Sequence, residues 1–155
     1  MRKLLCSGLF VVAGMIGDPP AVSPHALSGS NYQGDPRLAA LKNFFRKAGC
    51  PAEKYAHVFL QAADDYQLDW RLLPSISFVE STGGKAARNN NLFGWDSGNA
   101  RFASPWAGIH TVGFKLANSR RYKDKELDEL LAIYNPYDGY GQKVKSVMRR
   151  ISPAE

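Results

Sequence analysis

The stretch Asp69-Trp70-Arg71-Leu72-Leu73-Pro74-Ser75-Ile76-Ser77-Phe78-Val79-Glu80-Ser81-Thr82-Gly83-Gly84 decides how this chain is read. Leu72, Leu73, Ile76 and Val79 recur at helical spacing, and their apolar face runs directly into Glu80. Asp69 is expected to cap this helix, and Pro74 to delay its start or kink it. Gly83 and Gly84 then stop the helix and let the chain turn back close to the carboxylate. A carboxylic acid at the end of so apolar a helix is poorly solvated, which disfavours its charged form and raises its pKa. Each unit of such a shift corresponds to about 1.4 kcal/mol in favour of the neutral form, so partial burial is enough to keep a proton available for general acid catalysis. From position alone, a local cap or salt bridge explains Glu80 at least as well.

Helical periodicity continues on both sides. Asp35-Pro36 reads as a helix start, a carboxylate acceptor followed by a first-turn proline, with Leu38, Leu41, Phe44 and Phe45 on one stripe and Gly49 as the stop. A second helix is expected over residues 51–66, with Tyr55, Val58, Phe59 and Ala62 facing the core, and its Asp64-Asp65 end solvated. Residues 85–103, with Asn89-Asn90-Asn91, Gly94 and Gly98, read as an irregular lobe with room for a short hairpin, the kind of segment that carries substrate contacts. Ser104-Pro105 opens a further helix through Trp106, Ile109, Val112 and Leu116. Leu127, Leu130, Leu131 and Tyr134 mark another over residues 125–134, ended by Asn135-Pro136. The last is expected over residues 140–151, with Val144, Val147, Met148 and Ile151 buried and its lysines and arginines outside. The expected architecture is all-α, α+β at most through a small hairpin lobe, with about six helices around one core and no internal repeat.

With 155 residues the chain is the size of one domain. Arg2 and Lys3 precede an apolar run from Leu4 to Ile16, a secretory signal pattern that is too short for the roughly 20 residues of a bilayer span, so no permanent membrane anchor is expected. Residues 1–26 are read as the signal, with cleavage near Ala26, residues 27–34 as a flexible leader and residues 35–151 as the folded domain. Cys6 lacks the position and small neighbours of a lipoprotein cysteine. The whole chain carries a net charge of +6, and removal of Arg2, Lys3 and Asp18 with the signal leaves +5. On an exported protein this basic balance favours an anionic wall polymer over nucleic acid, and modest charge of this kind also serves simply to solvate a surface. Cys50 is then the only cysteine left, so no internal disulfide forms, and its Gly-Cys-Pro setting makes it incidental rather than a catalytic thiol. His57 and His110 have no metal-ligand spacing, there is no phosphate-binding glycine loop, and no metal or other cofactor is expected.

The Asp69 to Gly84 segment resembles the catalytic helix of lytic transglycosylases and bacterial glucosaminidases, members of the lysozyme-like superfamily in which a Glu-Ser pair follows an apolar helix. Asn90-Asn91-Leu92-Phe93-Gly94-Trp95 is similar to the Asn-Asn-Leu-Phe-Gly motif of the glucosaminidases. Phe102-Ala103-Ser104, followed by a helix, falls where that family has a short aromatic-plus-serine motif. Ala132-Ile133-Tyr134-Asn135-Pro136 resembles the Tyr-Asn motif of the transglycosylases, and Tyr140-Gly141-Gln142-Lys143-Val144 the tyrosine-led terminal helix of both groups. The resemblance covers roughly residues 52–151. No single motif is specific, but their order and spacing agree with the families.

The resemblance implies a lysozyme-like fold and an exported glycosidase, periplasmic or at the cell wall, that acts as a monomer on peptidoglycan glycan strands. Glu80 is then the proton donor, and Tyr134 lines the site beside it as a second catalytic residue, positioning the sugar or the acid. Ser81, Asn91, Phe93, Trp95, Phe102 and Asn135 shape the substrate groove between the helical body and the 85–103 lobe, with Trp106 a further aromatic for stacking on sugars. Each of these aromatics, and Tyr134, is equally readable as core. The Gly-Leu-Met-Gln motif of classical transglycosylases is absent, so glucosaminidase-like hydrolysis is favoured and lytic transglycosylase chemistry is the alternative. Asp96 is the lobe's only carboxylate and hence the candidate second catalytic group, although an exposed turn aspartate is the plainer reading. Without it, the substrate's N-acetyl group or 6-hydroxyl serves as internal nucleophile. A non-catalytic glycan-binding protein is the rival class, and a basic helical nucleic-acid binder a weaker third.

Overall fold

A computed structural model describes residues 32–151. The expected signal and most of the expected leader lie outside the described residues. Among the described residues six α-helices run in the order α1 (Pro36–Lys47), α2 (Ala56–Asp65), α3 (Leu72–Ser81), α4 (Pro105–Asn118), α5 (Leu127–Tyr134) and α6 (Tyr140–Ile151), with a 3-10 turn at Pro51–Tyr55 leading into α2. The described chain is all-α. In place of a hairpin, the 85–103 lobe holds one isolated antiparallel bridge between Arg88 and Asn91. Asn89 and Asn90 form the turn between them with φ of 54° and 58°, the left-handed conformation that asparagine tolerates better than most residues. None of the described helices is long and apolar enough to cross a membrane.

The helix starts follow local chemistry. Asp35 Oδ1 accepts from the Arg37 amide at 2.8 Å, and Ser104 Oγ from the Ala107 amide at 3.1 Å, each followed by a proline at the first helical position. The Asp69 expectation is corrected: its carboxylate accepts from the Arg71 amide at 2.9 Å and pairs with the Arg71 guanidinium, but the helix begins at Leu72 with Arg71 at the cap position and no side-chain cap. Pro74 explains this placement. It sits in the first turn, where its missing donor has no intrahelical acceptor to lose, so α3 starts late and stays unbroken. The single second helix is likewise corrected to a 3-10 turn followed by α2.

Every residue from Leu72 to Ser77 is buried, which makes α3 the central element, packed chiefly against α6. Phe44, Phe45, Phe59 and Phe93 form a continuous aromatic run beneath it, with neighbouring centroids 5.3 to 6.3 Å apart. Arg37 joins the ends of two helices by pairing with Asp35 on α1's cap and with Asp64 on α2, both at 2.8 Å. On α4, Gly113 lets Tyr66 lie against the helix backbone, since a β-carbon there would come within 2.9 Å of the tyrosine ring.

Candidate active site

Glu80 is half-buried in the last turn of α3. Just beyond it the chain turns sharply: Thr82, Gly83 and Gly84 are all left-handed, with φ of 52°, 58° and 94°. The helix therefore stops at a threonine rather than at the glycines, and a β-branched residue in this region carries strain that the surrounding packing must hold. The return segment comes back onto the acid at Gly94. A β-carbon on Gly94 would lie 2.6 Å from Glu80 Oε2 and 3.3 Å from its carboxyl carbon, and the residue's φ of +59° independently favours glycine.

Three consecutive residues of the lobe are tied to the surroundings of Glu80. The Leu92 carbonyl accepts from Ser81 Oγ at 2.8 Å, the Phe93 carbonyl accepts from Tyr134 Oη at 2.6 Å, and Gly94 lies against the carboxyl itself. Asn91 shapes this run: its Oδ1 accepts from the amides of Phe93 and Trp95 at 3.3 and 3.0 Å, and its Nδ2 donates to the Trp95 carbonyl at 3.0 Å. An asparagine supplies acceptor and donor from one planar group, so a single side chain closes a loop that has no sheet or helix to satisfy it.

Several groove residues expected from the sequence have structural work here. Ser81 is buried; its hydroxyl faces the Ser77 and Leu92 carbonyls and accepts from the Gly84 amide at 3.0 Å, which leaves it no surface for a sugar. Ser81→Ala is expected to destabilise the fold by about 1–3 kcal/mol, because buried backbone groups lose their partner, and urea denaturation measures this directly. Asn91 is 4% exposed, and the Phe93 side chain is fully in the core against Phe59. Phe102 packs over Gly108 on α4, and Trp106 stacks on the His110 ring at 4.2 Å, so both rings are engaged with α4 rather than with Glu80. Asp96 is exposed in a left-handed turn with Ser97 and Gly98.

Around Glu80 the structure gathers aromatic rings from distant parts of the chain. Trp95 meets Tyr134 edge-on at 5.7 Å and lies 6.1 Å from Tyr122, while Tyr134 and Tyr140 stack at 6.0 Å with planes 6° apart. Tyr122 is absent from the sequence candidates, since one tyrosine in a charged connection carries no signal. Tyr140 is marked in the sequence as the tyrosine that leads the last helix, but with no role at the site assigned to it.

Burial raises the Glu80 pKa above the ordinary carboxyl range, and interactions with Tyr140 and Asn135, which favour the charged form, partly oppose it. No neighbouring carboxylate contributes. Burial first, and then the negative charge of Glu80, push the hydroxyls of both Tyr134 and Tyr140 far above the usual phenol range, so both remain protonated. The arrangement is an acid kept short of water, ringed by neutral donors and aromatic faces.

Two grooves lie near this centre. One, of about 240 Å³, separates the 3-10 turn and Gly83-Gly84 from the lobe at Ala87, Asn90 and Leu92, and none of the residues expected to shape the substrate groove lines it. The other, of about 520 Å³, runs between α3 at Phe78 and Val79 and α6 at Lys143 and Arg150. Both flank the turn that carries Glu80 without including it in their walls. Among the described residues no cluster of three or more histidine, cysteine, aspartate or glutamate side chains is placed to hold a metal ion. Compared with known proteins, the chain matches no protein family, and no curated protein or solved structure is significantly similar to it.

Proposed function

We propose that this chain is an exported glycosidase of the lysozyme-like class that cuts the glycan strands of peptidoglycan, with Glu80 as general acid. The observation that carries the reading is convergence on one carboxyl. Gly94 of the lobe and, some 40 positions further on, Tyr134, Asn135 and Tyr140 of the α5–α6 corner come from separate motifs, and all lie around a half-buried Glu80 whose proton affinity burial has raised. A salt-bridged cap needs no such enclosure, and no cation contributes to the shift at Glu80.

In this reading Glu80 gives its proton to the leaving glycosidic oxygen as the bond to the anomeric carbon breaks. Asp96 is a poor second catalytic group, because it is exposed and its charge leaves no mark on Glu80. The single-carboxylate site favours the substrate's own N-acetyl group as nucleophile: its carbonyl oxygen bonds to the anomeric carbon as the glycosidic bond breaks, and water then attacks that carbon, breaking the new bond, restoring the N-acetyl group and giving a proton back to Glu80. The second reading, lytic transglycosylase chemistry, draws on the same observation, with the 6-hydroxyl attacking the anomeric carbon instead, passing its proton to the Glu80 carboxylate and closing an anhydro ring. Trp95, partly exposed beside Tyr134, is the aromatic best placed to meet a sugar face.

Digestion of purified peptidoglycan in 18O-labelled water, with mass spectrometry of the soluble fragments, tests the assignment. Hydrolysis puts one labelled oxygen at each new reducing end, on glucosamine for the favoured reaction, whereas anhydro ends without label establish the transglycosylase alternative. Binding to the wall without any release leaves a glycan-binding protein and defeats the glycosidase reading.

A further inference from the structure

Two tyrosine hydroxyls lie in the surroundings of Glu80, and they are not equivalent. Tyr134 Oη has one proton, and at 2.6 Å from the Phe93 carbonyl that proton is committed to the lobe. Toward Glu80 it has only lone pairs to present, and these repel a carboxylate. Tyr140 differs. It is 5% exposed, its ring is fixed by stacking on Tyr134, and its hydroxyl is buried with no hydrogen-bond partner of good geometry, an arrangement that a buried hydroxyl keeps only at a cost. Of the charged neighbours, the Glu80 carboxyl acts on it most strongly, and a carboxylate is the acceptor that such a proton lacks.

Asn135 completes the set from the same corner. Its Oδ1 accepts from the Tyr137 amide at 3.1 Å, so its Nδ2 is the atom left to donate to Glu80. Asn135 closes α5 and Tyr140 opens α6, and the short turn between them, with Gly139 at φ +80°, puts both side chains in one corner of the fold. Gly94 stands against the carboxyl as well, and its lack of a β-carbon leaves the group room.

We infer that Tyr140 is a positioning residue for Glu80: its buried hydroxyl, with the Asn135 amide, fixes the orientation of the carboxyl group, while Tyr134 fixes the lobe. This rests on the reading of Glu80 as the acid for its consequence in catalysis, but not for its geometry. The titratable groups that face Glu80 are Tyr134 and Tyr140, with Tyr122 behind them, and all three have pKa values raised first by burial. None of them changes charge over the range in which a carboxyl titrates, so Glu80 can be followed without interference.

The test is a 13C NMR titration of the Glu80 side-chain carboxyl in the full chain, for the parent, Tyr140→Phe and Tyr134→Phe. Phenylalanine keeps the stacked ring, and amide spectra verify that each variant stays folded. Tyr140→Phe removes a donor to the charged form, so the Glu80 midpoint should rise by roughly one pH unit. The alkaline limb of the pH–rate profile should rise with it, because a general acid works only while protonated. Tyr134→Phe should lower the melting temperature, since the Phe93 carbonyl loses its donor, and should move the Glu80 midpoint much less. An unchanged midpoint in Tyr140→Phe, or an equal upward shift in both variants, overturns the assignment. A shift confined to Tyr140→Phe in a protein that releases no sugar supports the positioning role and overturns only the glycosidase reading.

Discussion

Gly94→Ala should reduce peptidoglycan cleavage by about a hundredfold and also weaken the fold, because two independent constraints meet at this residue. The backbone is left-handed, with φ +59°, where a β-carbon costs about 1–2 kcal/mol. The same β-carbon would come within 2.6 Å of Glu80 Oε2, a separation that non-bonded atoms do not adopt, so the carboxyl must move. A reacting group displaced by about 1 Å is enough for a loss near 10²-fold. The two causes separate in a double-mutant cycle. Glu80→Ala removes the carboxyl that the new methyl strikes, so part of the Gly94→Ala destabilisation should disappear in that background, with a coupling of about 1 kcal/mol measured by urea denaturation. Strict additivity would mean that only the backbone conformation matters and that the Gly94–Glu80 approach carries no energy.

Glu80→Gln has the largest expected effect on activity, a loss of about 10²- to 10⁴-fold, because an amide keeps the shape of the acid but has no proton to donate. The same substitution should stabilise the protein near neutral pH. Burial holds the folded-state pKa of Glu80 above its value in the unfolded chain, so below the unfolded value both states are protonated and the residue is neutral in its effect. As pH climbs through the raised pKa, the folded protein is forced to carry a desolvated charge, and stability falls. Glutamine is uncharged throughout. The variant's melting temperature should therefore exceed the parent's at pH 7, with a gap that closes toward pH 4. A gap that widens toward acid instead would mean that Glu80 is held by a favourable charge interaction, as a structural cap would be. Stabilisation on removing a functional group is a known mark of sites that trade stability for activity.

Much of this fold is legible in local sequence chemistry. The Asp35-Pro36 and Ser104-Pro105 starts, the proline stop after Asn135 and the apolar stripes of α1, α4 and α6 each depend on neighbours within one or two turns, and the expected bounds of α6 agree with the structure to the residue. The departures have physical reasons. Asp69 reads as the cap because its side chain does take a free amide, but Pro74 moves the helix start downstream. The 3-10 turn of Pro51–Tyr55 hides within an apolar spacing that fits either helix. The lobe is defined by single groups, the Asn91 amide and a series of left-handed residues, and these have no periodicity to betray them.

At the site, Glu80 is legible because burial of a helix face is written in its period. Its partners are legible only as motifs, and the division of labour among them is not: Ser81, Asn91 and Phe93 brace the return of the chain to the acid, although a sequence match alone suggests contacts with sugar. Which tyrosine hydroxyl is committed and which is free depends on a 2.6 Å hydrogen bond across 41 positions of sequence, and no local pattern encodes it. The stacked pair Tyr134 and Tyr140, close in sequence but on separate helices, is set by the α5–α6 corner rather than by either helix.

The central claim is that one protonated carboxyl, Glu80, breaks a glycosidic bond. The measurement that meets it most directly is the rate of soluble sugar release from purified peptidoglycan by the parent protein and by Glu80→Gln, side by side, with both shown to be folded and bound to the wall. New sugar ends are expected from the parent, and at least roughly a hundredfold fewer from the variant at equal binding. Equal release by the two proteins, or none from either, would contradict that claim.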